Sequence, residues 1–256
     1  MIQRITLLGA GNLAVQLGKT LLWSGFDILQ VYSRTAESAR SLASLLETGW
    51  TTDLQKIDLS ADMLIISIKD DAIESVLNQI KHADTLIVHT SGSIAMNILA
   101  KYTNAYGVFY PLQTFSKTRD VDFSDIPLCL EASSEAVMTK LKNFAAKLSN
   151  HVEEINSEKR MILHVAAVFA CNFVNHCYYL GSRILENEGL SLDLLKPLIR
   201  ETAEKLMEMN PFDAQTGPAK RNDMFVIDKH LNLIENQKVA DIYKILTESI
   251  YKTHSL

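Results

Sequence analysis

A glycine-rich turn near the start of the chain has the spacing of a diphosphate-binding loop. Gly9-Ala-Gly11-Asn12-Leu13-Ala14 follows an apolar run and precedes an amphipathic helical pattern. The first glycine permits a tight turn, the second lets a ligand approach the backbone, and Ala14 lets the helix pack closely on the strand. The start of the helix then offers free N–H groups to a diphosphate. We expect a dinucleotide to bind at Gly9, Gly11, Asn12 and Leu13; a glycine turn without a ligand is the alternative.

The residues after the second predicted strand indicate which dinucleotide binds. Ser33, Arg34 and Thr35 stand there, and the first carboxylate is Glu37. A carboxylate at this position would suit the free ribose of NAD, whereas a guanidinium and two hydroxyls suit the 2′-phosphate of NADP. We therefore expect NADP, bound by these three residues. The alternative is that Arg34 is a solvated charge at the start of the next helix.

A long apolar helical pattern in the C-terminal half carries polar residues that could do proton chemistry. Arg160, His164, Asn172 and Asn175 fall within a sector of roughly 120° on an α-helix. An imidazole titrates near neutral pH, so His164 could deliver or accept the proton that accompanies hydride transfer, with Asn172 beside it. Satisfied hydrogen bonds in a core, or a dimer seam, would explain the same residues.

Other polar residues directly follow predicted strands. Because ligands of open α/β sheets lie beyond the carboxyl ends of the strands, we expect these residues to line the same site. Those assigned to the cofactor are Ile68, Lys69, Ser91 and Gly92, and those assigned to the substrate are Gln113 and Thr114. An ordinary helix cap or a rigid loop would account for them equally well.

A turn at Thr216-Gly217-Pro218 leads into two further charged residues. Arg221 and Asp223 could reach toward a substrate anion, or could pair with each other. Both interpretations remain open from the sequence.

The elements that must position these residues alternate through the first 155 residues, which predicts a mostly parallel α/β sheet covered on both faces. The predicted strands are 4–9, 27–32, 48–52, 62–68, 85–89, 104–109, 127–131 and 151–155. The predicted helices between them are 11–24, 35–46, 70–80, 93–101 and 133–149. Later residues are typical of helices, with a long one from Ser157 to about residue 187, a start or kink at Pro197, and patterns at 223–234 and 238–252. We therefore place a dinucleotide domain at 1–155 and an all-α domain at 156–256.

Composition favours a globular protein. Of 256 residues, 47% are hydrophobic and 21% charged, and the net charge of −5 without a basic stripe disfavours nucleic acid as a partner. The chain starts directly in a strand pattern, and the apolar run Val165–Cys171 is too short to cross a bilayer, so we expect a cytoplasmic protein without a membrane partner. The apolar long helix predicts a homodimer.

Cysteine usage gives no indication of a metal site. Cys129, Cys171 and Cys177 form no CxxC pair and no regular Cys/His ligand spacing. We expect three buried thiols and no bound metal.

These motifs together resemble a bacterial family of two-domain NADP oxidoreductases. More distantly, the chain is similar to deazaflavin-dependent NADP reductase, pyrroline-5-carboxylate reductase and the helical C-terminal domain of 6-phosphogluconate dehydrogenase. The resemblance covers essentially the whole chain and is carried by Gly9-Ala-Gly11-Asn12, Tyr32-Ser33-Arg34, His89-Thr-Ser91-Gly92, Tyr110-Pro-Leu-Gln-Thr114, the run Ala166 to His176, and Thr216 to Asp223. It implies a Rossmann-type domain that binds NADP, followed by a helical domain that closes the cleft and builds a dimer.

The resemblance implies hydride transfer between NADP(H) and a small carbonyl, imine or hydroxy acid, but not a particular substrate. Distant hydroxyacid dehydrogenases of this architecture carry a catalytic lysine one turn before an asparagine, and here Val168 occupies that position before Asn172. Either His164 replaces the lysine, or the protein binds or senses NADP(H) without turnover.

Overall fold

The computed structural model describes residues 1–80 and 85–255, and its central element is a mixed sheet. The strands found among these residues are β1 (Arg4–Leu8), β2 (Asp27–Tyr32), β3 (Gly49–Thr51), β4 (Met63–Ile66), β5 (Leu86–His89), β6 (Tyr106–Pro111), β7 (Leu128–Ala132) and β8 (Val152–Glu154). Their order is β3-β2-β1-β4-β5-β6-β7-β8, and every neighbouring pair is parallel except β6 with β7. The predicted mostly parallel α/β sheet is confirmed.

The side chains at the centre of the sheet are buried from solvent, as expected for an apolar sequence. All four residues of β4 are buried, because helices cover both faces of a central parallel strand. Leu8, Ile66 and His89 end β1, β4 and β5 in register with one another. The carboxyl ends of these strands therefore meet at one edge, where the loops that follow them gather.

The helices of the first half lie close to their predicted positions. They are α1 (Asn12–Trp23), α2 (Ala36–Leu45), α3 (Ile73–Leu77) and α4 (Glu135–Ala145). The predicted helix 70–80 is shorter, with a 3₁₀ turn at Asp70–Ala72 before α3.

The predicted helix 93–101 is a 3₁₀ helix that starts only at Met96. Its first backbone groups are bonded elsewhere. The Met96 N–H donates to Ser157 Oγ at 3.0 Å, and the Ile94 carbonyl accepts from Arg160 at 2.5 Å. The first turn of an α-helix cannot form from groups that are already committed to another element.

The described residues divide into two compact units, 1–169 and 170–256. The border lies within a long helical stretch formed by α5 (Ser157–Ala167), a π-helical segment (Val168–Phe173) and α6 (Val174–Asn187). The second unit continues with a 3₁₀ turn at Leu192–Leu195, α7 (Lys196–Glu208), α8 (Pro211–Ala214), α9 (Met224–Leu233) and α10 (Gln237–His254). Pro197 lies in the first turn of α7, so it starts that helix rather than kinking it.

Among the described residues, one helical stretch, Ser157–Asn187, is long and apolar enough to cross a membrane by length and composition alone. Its most apolar 18-residue window has a mean hydropathy of 1.3, and no residue in this window is buried. A helix covered by another protein surface passes the same test.

The cysteines differ from the expectation. Cys129 is buried, but Cys171 and Cys177 are exposed. Both exposed thiols lie on the long helical stretch, whose faces the sequence alone does not assign to a core or to an outer surface.

Candidate functional site

A cleft of about 1120 Å³ opens in the first unit, at the carboxyl edge of the sheet. The residues that line it come from the loops after β1 to β5. The predicted cofactor residues among them are Gly9, Gly11, Asn12, Leu13, Ser33, Arg34, Thr35, Ile68, Lys69 and Ser91. The structure therefore brings these residues together in one cavity, with Gly92 directly beside it in the chain.

The glycine turn has two glycines with different roles. Gly9 has a φ of +124°, and a Cβ there would lie 1.9 Å from the Ser67 carbonyl oxygen, so only glycine fits. A Cβ at Gly11 would meet no atom of the described residues within 4 Å, because this glycine faces open space. It precedes α1, whose first turn contains no acidic residue and whose N-cap makes no side-chain hydrogen bond. The uncapped N–H groups and the open space in front of them fit a diphosphate.

Asn12 is held by its side chain within the protein. Its Nδ2 donates to the Phe115 carbonyl at 2.9 Å, and Gln16, one turn later, donates to the Ser116 carbonyl at 2.7 Å. These bonds tie α1 to the loop after β6. The group that Asn12 leaves for a ligand is consequently its backbone N–H.

The other end of the cleft lies at the exit of β2. Arg34 is exposed and forms no ion pair with any residue that the structure describes. Burial raises the pKa of the neighbouring Tyr32, and the positive charge of Arg34 acts in the opposite direction. A guanidinium without a counter-ion beside Ser33 and Thr35 can bind a phosphate dianion.

The end of the cleft beside β2 is also lined by residues that were not predicted from the sequence. Ser38, Thr52 and Gln55 contribute hydroxyl and amide groups, while the Asp53 carboxylate accepts the Gln55 N–H at 3.0 Å. Three of these residues follow β3. The rule that ligands lie beyond strand ends applies to β3 as well as to its neighbours, and would have identified them.

The loop after β5 is fixed by its own hydroxyls. Ser91 Oγ accepts the N–H groups of Ser93 and Ile94 at 3.1 and 3.0 Å, and the Ser93 hydroxyl donates to the Asp70 carboxylate. The Ser91 hydroxyl thus holds a local turn, and it does not cap the 3₁₀ helix, whose N-cap is Ala95. Lys69 is exposed at the same edge and forms no ion pair within the described part of the chain.

His164 lies over this loop, on the first unit's part of the long helix. Its Nδ1 is 3.0 Å from the hydroxyl of Tyr110, the penultimate residue of β6. Gly92 makes room for both rings, since a Cβ there would lie 2.6 Å from His164 Nδ1 and 3.0 Å from Tyr110 Cζ. Tyr110 stood in a motif of the sequence but had no role assigned to it.

Arg160, one turn before His164, is a structural anchor. It is 1% exposed, and its guanidinium bonds Glu131 Oε2 at 2.5 Å, the Ser91 carbonyl at 3.2 Å and the Ile94 carbonyl at 2.5 Å. Ser157 Oγ also donates to Glu131 Oε2 at 2.7 Å. The alternative of satisfied internal hydrogen bonds therefore holds for Arg160. The network fixes α5 on the loop that supports His164.

His89, at the end of β5, is fully buried and neutral. Its Nδ1 accepts the Ser91 N–H at 3.2 Å, whereas Nε2 has no hydrogen-bond partner within bonding geometry among the described residues. Burial lowers the pKa of His89 to about 4, with a further lowering by the charge of Arg160; the Ala95 carbonyl and two carboxylates oppose the shift.

The remaining residues that the sequence assigned to catalysis or substrate binding form local hydrogen bonds or are simply exposed. Gln113 and Thr114 are exposed, and Gln113 Oε1 accepts the Thr114 N–H at 2.8 Å. In the second unit, Asn172 is exposed in the π-helical segment, and Asp223 caps α9 by accepting the Val226 N–H at 3.2 Å. The suggested pair of Arg221 with Asp223 does not occur among the described ion pairs.

Two family models match the chain. Residues 4–92 match the family described as NADP oxidoreductase coenzyme F420-dependent, and residues 126–250 match a domain of unknown function, DUF2520. A comparison with curated proteins gives no match.

Solved structures extend the likeness to the whole chain. A Bacteroides fragilis protein named "putative NADP oxidoreductase" is 46% identical, with a TM-score of 0.93 and 98% of each chain covered. A 1-pyrroline-5-carboxylate reductase from Streptococcus pyogenes is 15% identical, with a TM-score of 0.67, covering 99% of this chain and 98% of its own. A reductive aminase from Aspergillus terreus, in complex with NADPH and ethyl-5-oxohexanoate, is 14% identical, with a TM-score of 0.73. The match covers 98% of this chain and 94% of the aminase chain.

The similarity to the pyrroline-5-carboxylate reductase and to the reductive aminase shows the fold. The similarity to the Bacteroides fragilis protein shows the family. They confirm the predicted resemblance to NADP-linked two-domain proteins and to pyrroline-5-carboxylate reductase. With its glycine turn, its exposed arginine after β2 and a relative that matches from end to end, the chain belongs to the family of the Bacteroides fragilis protein named "putative NADP oxidoreductase".

Proposed function

We propose that this protein is an NADP-dependent oxidoreductase that transfers hydride between NADP(H) and a small carbonyl, imine or hydroxy acid. The observation that carries the proposal is the cleft of the first unit, with an uncapped helix N-terminus at Gly11 and a guanidinium at Arg34 that no described carboxylate neutralises. The 46% identical relative, named for NADP, supports the same cofactor.

The cofactor residues divide by the part of NADP that each would hold. The turn at Gly9 and Gly11, with the backbone N–H groups of Asn12 and Leu13, holds the diphosphate. Ser33, Arg34 and Thr35 hold the 2′-phosphate. We assign Ile68, Lys69, Ser91 and Gly92 to the nicotinamide half, because they follow the central strands.

NADPH, when bound, supplies the hydride; the chain must supply the proton and orient the substrate. We assign the proton to His164, because its imidazole is only partly exposed and is fixed by Tyr110 and Gly92. We assign Asn172 a catalytic role with His164, and we assign substrate contacts to Gln113, Thr114, Arg221 and Asp223. The reductive aminase that binds NADPH and a keto ester on the same fold is compatible with a small carbonyl substrate.

The test of the cofactor assignment is the variant Arg34→Ala in calorimetric titrations with NADPH and NADH. Losing a charge-assisted phosphate contact worth about 1.5–3 kcal/mol should weaken NADPH by roughly 10- to 100-fold and leave NADH nearly unchanged. Arg119→Ala removes an exposed arginine outside the cleft and serves as the control. An unchanged ratio of the two affinities in Arg34→Ala would refute the assignment.

Val168 supports a second candidate function, because the related dehydrogenases carry a lysine there. A protein that binds NADP(H) without turnover would fit this residue. Tight NADPH binding without oxidation across a panel of carbonyls and imines, together with no effect of His164→Ala on that binding, would favour the binding protein over the enzyme.

We further propose that the protein works as a homodimer. Within the second unit, the buried hydrophobic residues that the structure describes are Ala219, Ile227 and Ala240. A unit of this size needs a larger core to fold, and a second copy of the chain offers matching apolar surface in an isologous contact. Ile162 and Val165, 70% and 51% exposed, lie on the long helix that we place in the contact.

A further inference from the structure

The contact between Tyr110 and His164 determines which imidazole nitrogen of His164 can donate a hydrogen bond to a ligand. The hydroxyl oxygen and Nδ1 are 3.0 Å apart, and the two rings meet edge to face at a centroid distance of 6.1 Å. The bond joins β6 to α5 across 54 residues of sequence. Because the two imidazole nitrogens lie on different edges of the ring, Nε2 remains available to a ligand.

The groups around the pair determine the direction of this hydrogen bond. Burial raises the pKa of Tyr110, so its hydroxyl keeps its proton at neutral pH. The surrounding titratable groups are Arg160 on α5, which is paired with Glu131 of β7, and the neutral thiol of Cys129 on β7, whose pKa is raised to about 11. Between a phenol and an imidazole nitrogen that carries no proton, the phenol is the donor and the nitrogen the acceptor. Tyr110 then donates to Nδ1, and His164 carries its own proton on Nε2.

We propose that Tyr110 is a positioning residue that makes His164 present Nε2–H to the oxygen of a carbonyl, so that the substrate is an aldehyde or ketone rather than an iminium ion. This inference rests on the proposed function, in which His164 faces the substrate.

The charge that develops in each reaction distinguishes the two substrate classes. Hydride addition to a carbonyl places negative charge on oxygen, which an N–H donor stabilises. An iminium ion begins with positive charge and its own N–H groups, so it needs an acceptor or a carboxylate instead. Glu131 is already bound by the Arg160 guanidinium, and Asp70, which lines the cleft, already accepts the Ser93 hydroxyl. The site of the first unit thus matches the carbonyl.

The proton transfer balances through the same pair. As the carbonyl carbon accepts the hydride, the electron pair of the C=O bond moves to oxygen, which takes the proton from Nε2. Nδ1 then takes the proton of Tyr110. Once the alcohol leaves, Nε2 takes a proton from solvent and Nδ1 returns its proton to the Tyr110 phenolate, which restores the starting tautomer. Arg160 favours this brief phenolate, because its charge acts to lower the pKa of Tyr110, against the effect of burial.

The first test needs no substrate. In nitrogen-15 NMR of the side chains, neutral His164 in the wild-type protein should be the Nε2–H tautomer with a hydrogen-bonded Nδ1. In Tyr110→Phe the Nδ1 signal should move to the position of a free imidazole nitrogen. Tyr106→Phe is the matched control, since Tyr106 lies on the same strand and its hydroxyl has no described partner. A wild-type Nδ1–H tautomer, or an Nδ1 signal unchanged in Tyr110→Phe, would overturn the proposal. If Tyr110→Phe does not fold, the wild-type tautomer alone decides.

The second test compares NADPH oxidation with aldehydes, ketones and cyclic imines of matched ring size, at a pH where the imines are protonated to iminium ions. Carbonyls should be reduced in preference to imines, and Tyr110→Phe should lower kcat for carbonyls by about 10- to 100-fold with unchanged NADPH affinity. Tyr106→Phe should behave as wild type. Preference for imines overturns the substrate class. Tight NADPH binding without reduction of either class overturns the proposed function and the substrate class with it, while the tautomer measurement still decides the role of Tyr110.

Discussion

The two units of the molecule differ in how completely their apolar side chains are buried. In unit 1–169, the residues of β1, β4, β5 and β6 and the facing sides of α1 to α4 are nearly all buried, and one buried ion pair is closed by hydrogen bonds. In unit 170–256, large apolar side chains such as Phe225, Leu233 and Ile245 are 70%, 78% and 66% exposed. Apart from α5, whose Ile162 and Val165 are exposed, the first unit completes its own core, whereas the second leaves apolar surface that another copy of the chain can cover.

The largest effect should come from the buried ion pair of the first unit. Arg160→Met leaves two backbone carbonyls without their donor and the Glu131 carboxylate with only the Ser157 hydroxyl. It should lower the free energy of unfolding by about 3–5 kcal/mol. Urea denaturation measures it. Arg183→Met, which removes an exposed pair with Glu186, should cost less than about 1 kcal/mol. Equal losses in the two variants would show that the Arg160 network does not hold α5.

The two glycines of the turn should separate folding from binding. Gly9→Ala forces a Cβ against Ser67 in a left-handed conformation, and should destabilise the protein by about 3 kcal/mol. Gly11→Ala meets no described atom, so it should melt close to the wild type but lose NADPH affinity by about tenfold or more, because the Cβ occupies the space before α1. Thermal melting and calorimetry distinguish them. Full NADPH affinity in Gly11→Ala would place the diphosphate elsewhere.

The exposed apolar surface should appear as a subunit contact. Light scattering should give twice the chain mass of 28.7 kDa. Val165→Asp puts a charge on the exposed apolar face of the long helix, and should weaken the dimer by roughly 30-fold or more. Lys159→Asp, on an already polar and exposed position of the same helix, is the control. A monomeric wild-type mass contradicts the proposed dimer.

The smallest effect should be the acid sensitivity of the first unit. His89 has a lowered pKa of about 4 in the folded state against about 6.5 when unfolded, so the unfolded chain binds its proton first. The corresponding stability is complete above pH 6.5 and is lost as the pH falls toward 4, with about 2 kcal/mol gone at pH 5. Denaturant titrations at pH 7 and pH 5 measure this loss. In His89→Asn, whose amide oxygen can replace the Nδ1 acceptor, the difference between the two pH values should shrink by that amount.

The positions of the elements were predictable because local patterns determine them. The strand at Met63–Ile66 follows from a continuous apolar run, and the start of α1 follows from the glycines before it. Secondary structure in these places needs no distant contact. The 3₁₀ helix at Met96–Lys101 was harder to predict, because its start depends on Ser157 and Arg160, more than sixty residues later.

In the candidate site, too, some features follow from local sequence patterns and others depend on contacts between distant segments. The dinucleotide turn and Arg34 belong to one continuous βαβ segment, so their types and spacing are sufficient to indicate the ligand. The polar sector of the long helix indicated chemistry in general but did not separate the anchor Arg160 from His164. Their partners come from the loop after β5, from β6 and from β7, and no periodicity along the helix contains that information.

The amino-acid sequence by itself determined the parallel sheet, the phosphate-binding turn and the basic residue after β2, since each is specified by neighbours within one supersecondary unit. Only the tertiary structure decided that Tyr110 bonds His164, that Gly92 makes room for both, and that Arg160 is fully bound by Glu131 and two carbonyls. These contacts join distant segments, and their stability depends on the burial and alignment that only packing of the strands and α5 provides.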